Sequence, residues 1–457
     1  MNVLFIHQNF PGQYLHLAQY IHSLGGNEIV GLGETDNIKK RGTIPGVTTI
    51  GYSTPQGAGK DTHHYLQSTE ASVRRGQNVA RALMDIKAKG FIPDVISVHP
   101  GWGEAMFVRD VFPTTPILMF CEYYFRAGQA DLGFDSEFPQ SPDWSFSIRI
   151  RNTAQVISLL TANACISPTQ WQASRYPDPF RQTMHVIHDG VNTEYMAPDD
   201  GTDSLTIQPL DIPGESRLAG YPLLPEEMNQ ASGGDAAGYV GAKRSQAKGP
   251  PITLKAGDKV ITYVGRNLEP YRGIHTFLRS LPEIQRRHPD AHVLIIGHDG
   301  VSYSPTLPAG QTYKAKYLAE MEGRLDLSRI HFLSRIPYKA LRSAFRISSA
   351  HVYLTYPFVL SWSMLEAMAC EALLIASDTP PVREMITHGQ HGLLVDFFDT
   401  GKLADSVDAA LSNPEQFAQL RKNARAFVDE RFRLEKCLRA QYQLLQDLAL
   451  GRYPVPQ

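Results

Sequence analysis

The segment Tyr263-Val-Gly-Arg-Asn-Leu-Glu-Pro-Tyr-Arg-Gly273 sets two guanidiniums, Arg266 and Arg272, between an apolar run and the helical stripe Thr276, Phe277, Leu278 and Leu281. Arginine offers bidentate donors to an oxyanion, and the unsatisfied N–H groups of a helix start add to them, so the pattern suits a phosphate or diphosphate. Surface arginines paired with Glu269 and other carboxylates would carry the same letters. The segment Pro357 to Cys370 reads as a strand end turning into a helix, with Leu365, Met368 and Ala369 inward and Glu366 in the first turn. There its carboxylate could accept the two vicinal hydroxyls of a ribose. Ser363-x-x-Glu366 equally matches a capping box, in which the glutamate only satisfies backbone donors.

Weaker signals surround these two. His99 follows an apolar run and precedes a Pro-Gly turn, a setting for either a cleft residue or a structural histidine. Gly297-His298-Asp299-Gly300 follows the run His292 to Ile296, so His298 stands where a donor could lie, or in an ordinary Gly-rich turn. Trp102 and Trp362 could stack on a sugar or base, or pack at a rim. No spacing of carboxylates and histidines suggests a metal site, and metal independence is expected. The glycine after the first apolar run stands in Asn9-Phe-Pro-Gly-Gln13, with no GxGxxG, which argues against a Rossmann dehydrogenase.

The elements that must position these residues are α/β units. Val3 to Ile6, a Gly-bearing turn and the stripe Leu17, Ala18, Ile21, Leu24 give a strand, a turn and a helix closed by Gly25-Gly26. Further apolar runs at Asp94 to Val98, Pro116 to Phe120, Ala164 to Ser167 and His185 to His188 lie helix-lengths apart, as in a parallel, doubly wound sheet. A second series runs through Lys259 to Val264, His292 to Ile296, His331 to Leu333, His351 to Leu354, Leu373 to Ala376 and Gly392 to Val395. Between them, Asp- and Gly-punctuated stretches including Ser232 to Gly238 read as a linker or insertion. The boundaries predicted are 1–198, an insertion 199–253, 254–430, and a closing helix over 431–457 that packs back on the N-terminal domain. Two such halves bind a ligand at the carboxyl ends of their strands, in the cleft between them.

Composition restricts the function. In 457 residues, 44 Lys and Arg balance 46 Asp and Glu for a net charge of -2, which offers no broad cationic field for nucleic acid. Hydrophobic residues at 42% and charged residues at 20% are those of a packed globular chain. The start, Met1 to His7, reads as a buried strand and not as a signal peptide. No run reaches the roughly 18 apolar residues a membrane span needs, so membrane contact is expected to be peripheral at most, at the inner face. Four scattered cysteines without CxxC spacing suggest a reducing, cytoplasmic setting.

In their order and separations these segments resemble the retaining GT-B glycosyltransferases of family 4 (glycosyl transferases group 1), with a variant N-terminal domain found in bacterial members. The resemblance rests on Gly265, Arg266, Arg272 and Gly273, on Glu366-Ala-Met-Ala369, on Asp189-Gly-Val-Asn192 and on Ser377 to Glu384. It implies two Rossmann-like parallel-sheet domains facing across a cleft, and transfer of a sugar from a nucleotide diphosphate sugar to a saccharide, lipid-linked or small-molecule acceptor hydroxyl. Neither metal nor cofactor is implied. Residue by residue, Arg266 and Arg272 would neutralise the leaving diphosphate, Glu366 would hold the ribose, and the turn Ser361, Trp362, Ser363 would approach phosphate or sugar. Gly12 would let the N-terminal domain come close to the donor. Three positions depart from the pattern. Phe358 stands where a carboxylate is expected. Glu122 stands where a histidine is often found, to accept sugar hydroxyls or to pair with Arg126. Pro380-Pro381 replaces a Gly-Gly. A nucleotide-sugar-binding protein without catalysis, or a nucleotide-sugar epimerase of the same architecture, would share most of these features.

Overall fold

The computed structural model describes residues 1–128, 130–219 and 246–453. The chain divides into two compact units, Met1–Gly190 with Leu434–Gln457, and Val191–Arg433.

In the first unit seven parallel strands form one sheet in the order β3-β2-β1-β4-β5-β6-β7. They are β1 (Asn2–Ile6), β2 (Glu28–Glu34), β3 (Thr48–Tyr52), β4 (Val95–Val98), β5 (Ile117–Phe120), β6 (Ala164–Ser167) and β7 (Met184–Val186). Side chains alternate along a strand, and both faces here are covered. Leu4 and Ile6 therefore join Val79, Leu83 and Ile86 of the helix Gln67–Ala88 on one side. Val3 and Phe5 meet Leu17, Ala18 and Ile21 of the helix Leu15–Ser23 on the other. The closing helix Leu434–Ala449 completes that second layer with Leu438, Leu444, Leu445 and Leu448. It is tied by the Gln441 amide, which donates to the carbonyl of His188 at 3.0 Å.

The second unit carries six parallel strands in the order β13-β12-β11-β14-β15-β16. In chain order these are β11 (Val260–Asn267), β12 (His292–His298), β13 (Ile330–Leu333), β14 (Ala350–Tyr353), β15 (Leu374–Ser377) and β16 (Leu393–Val395). Ahead of them, β8 (Ser204–Pro209), β9 (Ser216–Leu218) and β10 (Ile252–Lys255) form a separate antiparallel sheet in the order β10-β8-β9. This differs from the linker read over 199–253. Leu205, Ile207, Leu218 and Leu254 are buried against Val260, Leu294, Ile296 and Leu333 of the larger sheet. The stretch Ser232 to Gly238 lies outside the described residues. Ile207→Ala should cost about 2–5 kcal/mol in urea unfolding, as for a core truncation; a change under about 0.5 kcal/mol would mark the small sheet as peripheral.

The crossovers also fall elsewhere than 198/199 and 430/431. Val191 donates to the carbonyl of Phe432 at 2.7 Å, and the Thr193 hydroxyl to Asp429 at 2.6 Å. Residues 191–198 and 431–433 thus belong to the second unit. Among the described residues no helix is long and apolar enough to cross a membrane.

Candidate active site

In both sheets the strand order reverses beside the first strand, between β1 and β4 and between β11 and β14. At such a point the loops leaving the carboxyl ends diverge and leave a crevice for a ligand.

In the second unit Gly265 and Arg266 form the end of β11, where its register with β12 shifts between Val264 and Asn267. The chain then makes a one-turn 3-10 helix, Pro270–Arg272, and enters the helix Ile274–Arg287 through Gly273. Gly273 has φ +74, and a Cβ there would lie 2.3 Å from that of Leu354, so only glycine fits this junction. The turn carries Arg272 inward. At 7% exposure its guanidinium donates to the Thr355 hydroxyl and to the Val359 carbonyl, both at 2.9 Å, just beyond β14. The rings of Tyr303 and Phe358 flank it at 5.6 and 5.9 Å.

Among the described residues no carboxylate pairs with Arg272 or with the exposed Arg266. A buried cation held only by neutral groups is costly unless an anion completes it. The alternative in which Glu269 pairs with these arginines does not hold. Glu269 is fully buried, and its Oε2 accepts the consecutive backbone N–H groups of Ser302, Tyr303 and Ser304 at 3.0, 2.9 and 2.9 Å. It anchors the turn after β12. That turn begins at His298, whose Nδ1 lies 3.2 Å from the Ser334 hydroxyl. Burial, then the Arg335 and Arg266 cations, hold the His298 pKa below its ordinary value. Arg335 is exposed just after β13 and has no anionic partner among the described residues. It escaped the sequence reading because no motif marks it; only the sheet order brings it beside His298 and Arg266.

The helix Trp362–Ala369 starts beyond β14 with Ser361 as its cap, the Ser361 hydroxyl accepting from the Ser363 N–H at 3.3 Å. Ser361 N–H is itself fixed on the Tyr353 hydroxyl at 2.8 Å, and Ser363 is buried behind it. Trp362 is exposed on the first turn. Because the cap is Ser361, Glu366 lies in the second turn, which corrects its expected place and removes the capping-box alternative. Instead Glu366, 8% exposed, accepts from the Tyr338 hydroxyl at 2.7 Å. Burial pushes its pKa up and that hydrogen bond opposes the shift. Phe358 packs edge-on to Tyr271 at 5.5 Å and against Tyr303 at 4.7 Å, so an aromatic wall stands where a carboxylate was expected. Pro380 and Pro381 open the helix Pro380–Met385, where a missing N–H costs nothing.

The first unit gathers a different set. Gly12, with φ +48 in the turn after β1, allows the chain to pass the His7 ring; a Cβ would lie 3.0 Å from it. His99, beyond β4, stacks on Trp102 with centroids 4.3 Å apart and meets His7 edge-on at 5.3 Å. Its Nδ1 accepts from Gly101 N–H at 3.0 Å, so Nε2 carries the proton and donates to Glu122 at 3.2 Å. Glu122, beyond β5, keeps 43% of its side chain exposed. Arg126 donates to the carbonyls of Arg175 and Tyr176. His7 was missed because it closes an apolar strand and reads as part of it. No group of three or more potential metal ligands occurs among the described residues.

Two family models match the chain, "Glycosyl transferase family 4 group" over residues 25–196 and "Glycosyl transferases group 1" over 246–427. A phosphatidyl-myo-inositol mannosyltransferase of Mycobacterium tuberculosis is 30% identical over 162 residues, 34% of this chain and 38% of that protein. A D-inositol 3-phosphate glycosyltransferase of Rhodococcus jostii is 26% identical over 42% of this chain and 41% of its own length. The chain thus spans about two fifths of the curated relatives it matches. Among solved structures, sucrose-phosphate synthase from Thermosynechococcus elongatus has a TM-score of 0.66 at 15% identity, over 99% of this chain and 100% of that one. Anabaena HepE in complex with UDP-glucose scores 0.59 at 13% identity, over 98% and 100%. These two share the fold, a pair of Rossmann-like parallel-sheet domains. With both of its units matched in order, the chain belongs to the family 4, group 1 glycosyltransferases of GT-B architecture.

Proposed function

We propose that this protein transfers a sugar from a nucleoside diphosphate sugar to an acceptor hydroxyl with retention of anomeric configuration and without a metal. The observation that carries the reading is Arg272, buried at the β11/β14 switch point with neutral partners and no carboxylate among the described residues. As the bond from the anomeric carbon to the phosphate oxygen breaks, positive charge grows on the sugar and negative charge on the diphosphate. Arg272, oriented by Thr355 and Val359, and Arg266 would stand ready before that charge develops, which favours the transition state over the ground state. Arg266 and Arg272, with Arg335 beside them, would supply the charge neutralisation for which other sites use a divalent cation. The leaving phosphate takes the acceptor proton on the same face. Glu366 would receive the ribose hydroxyls, with Tyr338 fixing its orientation. Glu122 and His99 in the first unit would hold the acceptor, a saccharide, a lipid-linked saccharide or a small molecule. All four cysteines are buried and none forms a disulfide, which fits a reducing cytoplasmic setting.

The test is a thermal-melt panel of UDP, GDP, ADP, dTDP and CMP, with and without EDTA. UDP heads the panel because HepE, of the same fold, was solved with UDP-glucose. One nucleotide at 100 times its dissociation constant should stabilise by about 2.7 kcal/mol, unaffected by EDTA. Glu366→Ala should abolish most of that shift. No shift with any member would overturn the donor site. Product analysis with the donor alone separates an epimerase, and binding without turnover across an acceptor panel separates a non-catalytic binder.

A further inference from the structure

The hairpin that links β8 to β9 lies outside both family-matched segments, in residues 197–245, yet through Lys314 it connects to Asp299 in the turn beside the proposed nucleotide site. Its end is locked on the large sheet. Phe332 N–H donates to the Gly214 carbonyl at 2.8 Å, and the Ser216 hydroxyl lies 3.1 Å from His331 Nδ1. Between those two anchors Glu215 meets Lys314, of the helix Tyr313–Glu320, at 2.6 Å. Lys314 is 16% exposed and also reaches Asp299 at 3.4 Å. Asp299 follows His298 directly and starts the turn whose far side Glu269 grips through the amides of Ser302 to Ser304. One side of this turn is therefore clamped by Glu269 and the other by a relay that begins in the inserted hairpin.

We propose that Glu215 is a positioning residue for the nucleotide site, holding Lys314 so that Asp299, and with it the His298-to-Ser304 turn, stays in register with Arg266 and Arg272. The proposal rests on the donor-site reading for its consequence and on the relay geometry for its cause. Lys314 sits between two carboxylates. Without Glu215 the ammonium has Asp299 as its remaining carboxylate and closes the 3.4 Å gap, drawing the turn with it. Charge and geometry then predict opposite outcomes. Removing a carboxylate near an anion site should by charge alone tighten anion binding, whereas a displaced turn loosens it.

The test uses the full chain and Glu215→Gln, Glu215→Asp and Arg217→Ala, the last an exposed change on the same hairpin. Hydrogen exchange without ligand should quicken about tenfold at the amides of Ser302, Tyr303 and Ser304 in Glu215→Gln, less in Glu215→Asp, and not in Arg217→Ala. Titration with UDP and GDP should show about tenfold weaker binding in Glu215→Gln at an unchanged melting temperature. Unchanged exchange, or binding as tight as or tighter than wild type, overturns the proposal. Should the wild type bind neither of these nor any other nucleotide of the melt panel, the donor-site reading falls while exchange still decides the relay. Glu215→Asp keeps the charge with a shorter reach, so it reports the same relay if Glu215→Gln does not fold.

Discussion

Arg272→Ala is expected to lower turnover by about 10²–10³, the effect of removing one preorganised donor from a developing oxyanion. Its guanidinium is oriented by Thr355 and Val359 at 2.9 Å and walled by Tyr303 and Phe358. A charge held this way needs no reorganisation when the diphosphate leaves. The same residue is buried, so truncation also opens a cavity and leaves the Thr355 hydroxyl and the Val359 carbonyl short of a donor. Arg272→Lys separates the two effects. It keeps the cation and most of the volume but has no fork to bond Thr355, Val359 and a phosphate together. Turnover should remain depressed in Arg272→Lys even where the melting temperature recovers. Arg266→Ala, at an exposed position, should lose less turnover and leave the melting temperature unchanged. Wild-type turnover in Arg272→Ala, measured by release of the nucleoside diphosphate, would remove Arg272 from the reaction.

The sequence carried the architecture and named the residues proposed for the donor site, because both are written in local pattern. Apolar runs such as Val3 to Ile6 and His292 to Ile296 name buried parallel strands, and the helix-length gaps between them name the crossovers. Gly273 was legible for the same reason: the turn it serves is local. What stayed hidden depends on contacts distant in the chain. Glu269 looked like a surface partner for arginines three residues to either side, but its partners are amides at 302–304. Glu366 matched a capping box by spacing, and its partner proved to be Tyr338 on another helix. His99 and Glu122 were each ambiguous alone, and only the β1-β4-β5 order joins them. The small sheet was masked by composition, since the alternation in Ser204-Leu-Thr-Ile-Gln-Pro209 is short and flanked by Asp and Gly on both sides.

The second large effect expected is on stability below pH 6.5. Burial lowers the pKa of His331 and His351 to about 3, and that of His188 to about 4, from an ordinary 6.5. The folded protein keeps these rings neutral because each is built into a bond network or an apolar layer. His331 links the Ser216 hydroxyl to His292 Nδ1, at 3.1 and 2.9 Å, and His351 Nδ1 lies 2.8 Å from the Thr262 hydroxyl. Once unfolded, all three take up protons near pH 6.5. The unfolded state then binds more protons, so unfolding free energy rises with pH in this window and is lost as pH falls from 6.5 toward 3–4. Each histidine contributes a slope that grows to about 1.4 kcal/mol per pH unit once the unfolded ring is fully protonated, so His331 and His351 together should remove about 3 kcal/mol from the second unit between pH 6.5 and 5. Glu366, whose pKa burial raises, acts in the opposite sense and offsets part of this. A variant comparison cancels such background. Urea unfolding of wild type and His351→Asn from pH 5 to 7.5 should show the variant's slope smaller below pH 6.5, by a margin that grows to about 1.4 kcal/mol per unit toward pH 5 and vanishes toward pH 7.5. The asparagine amide can still reach Thr262 but has no proton to take up. Equal slopes would mean that the His351 ring is protonated in the folded protein as readily as in the unfolded chain, and that its burial does not set the acid limit of the fold.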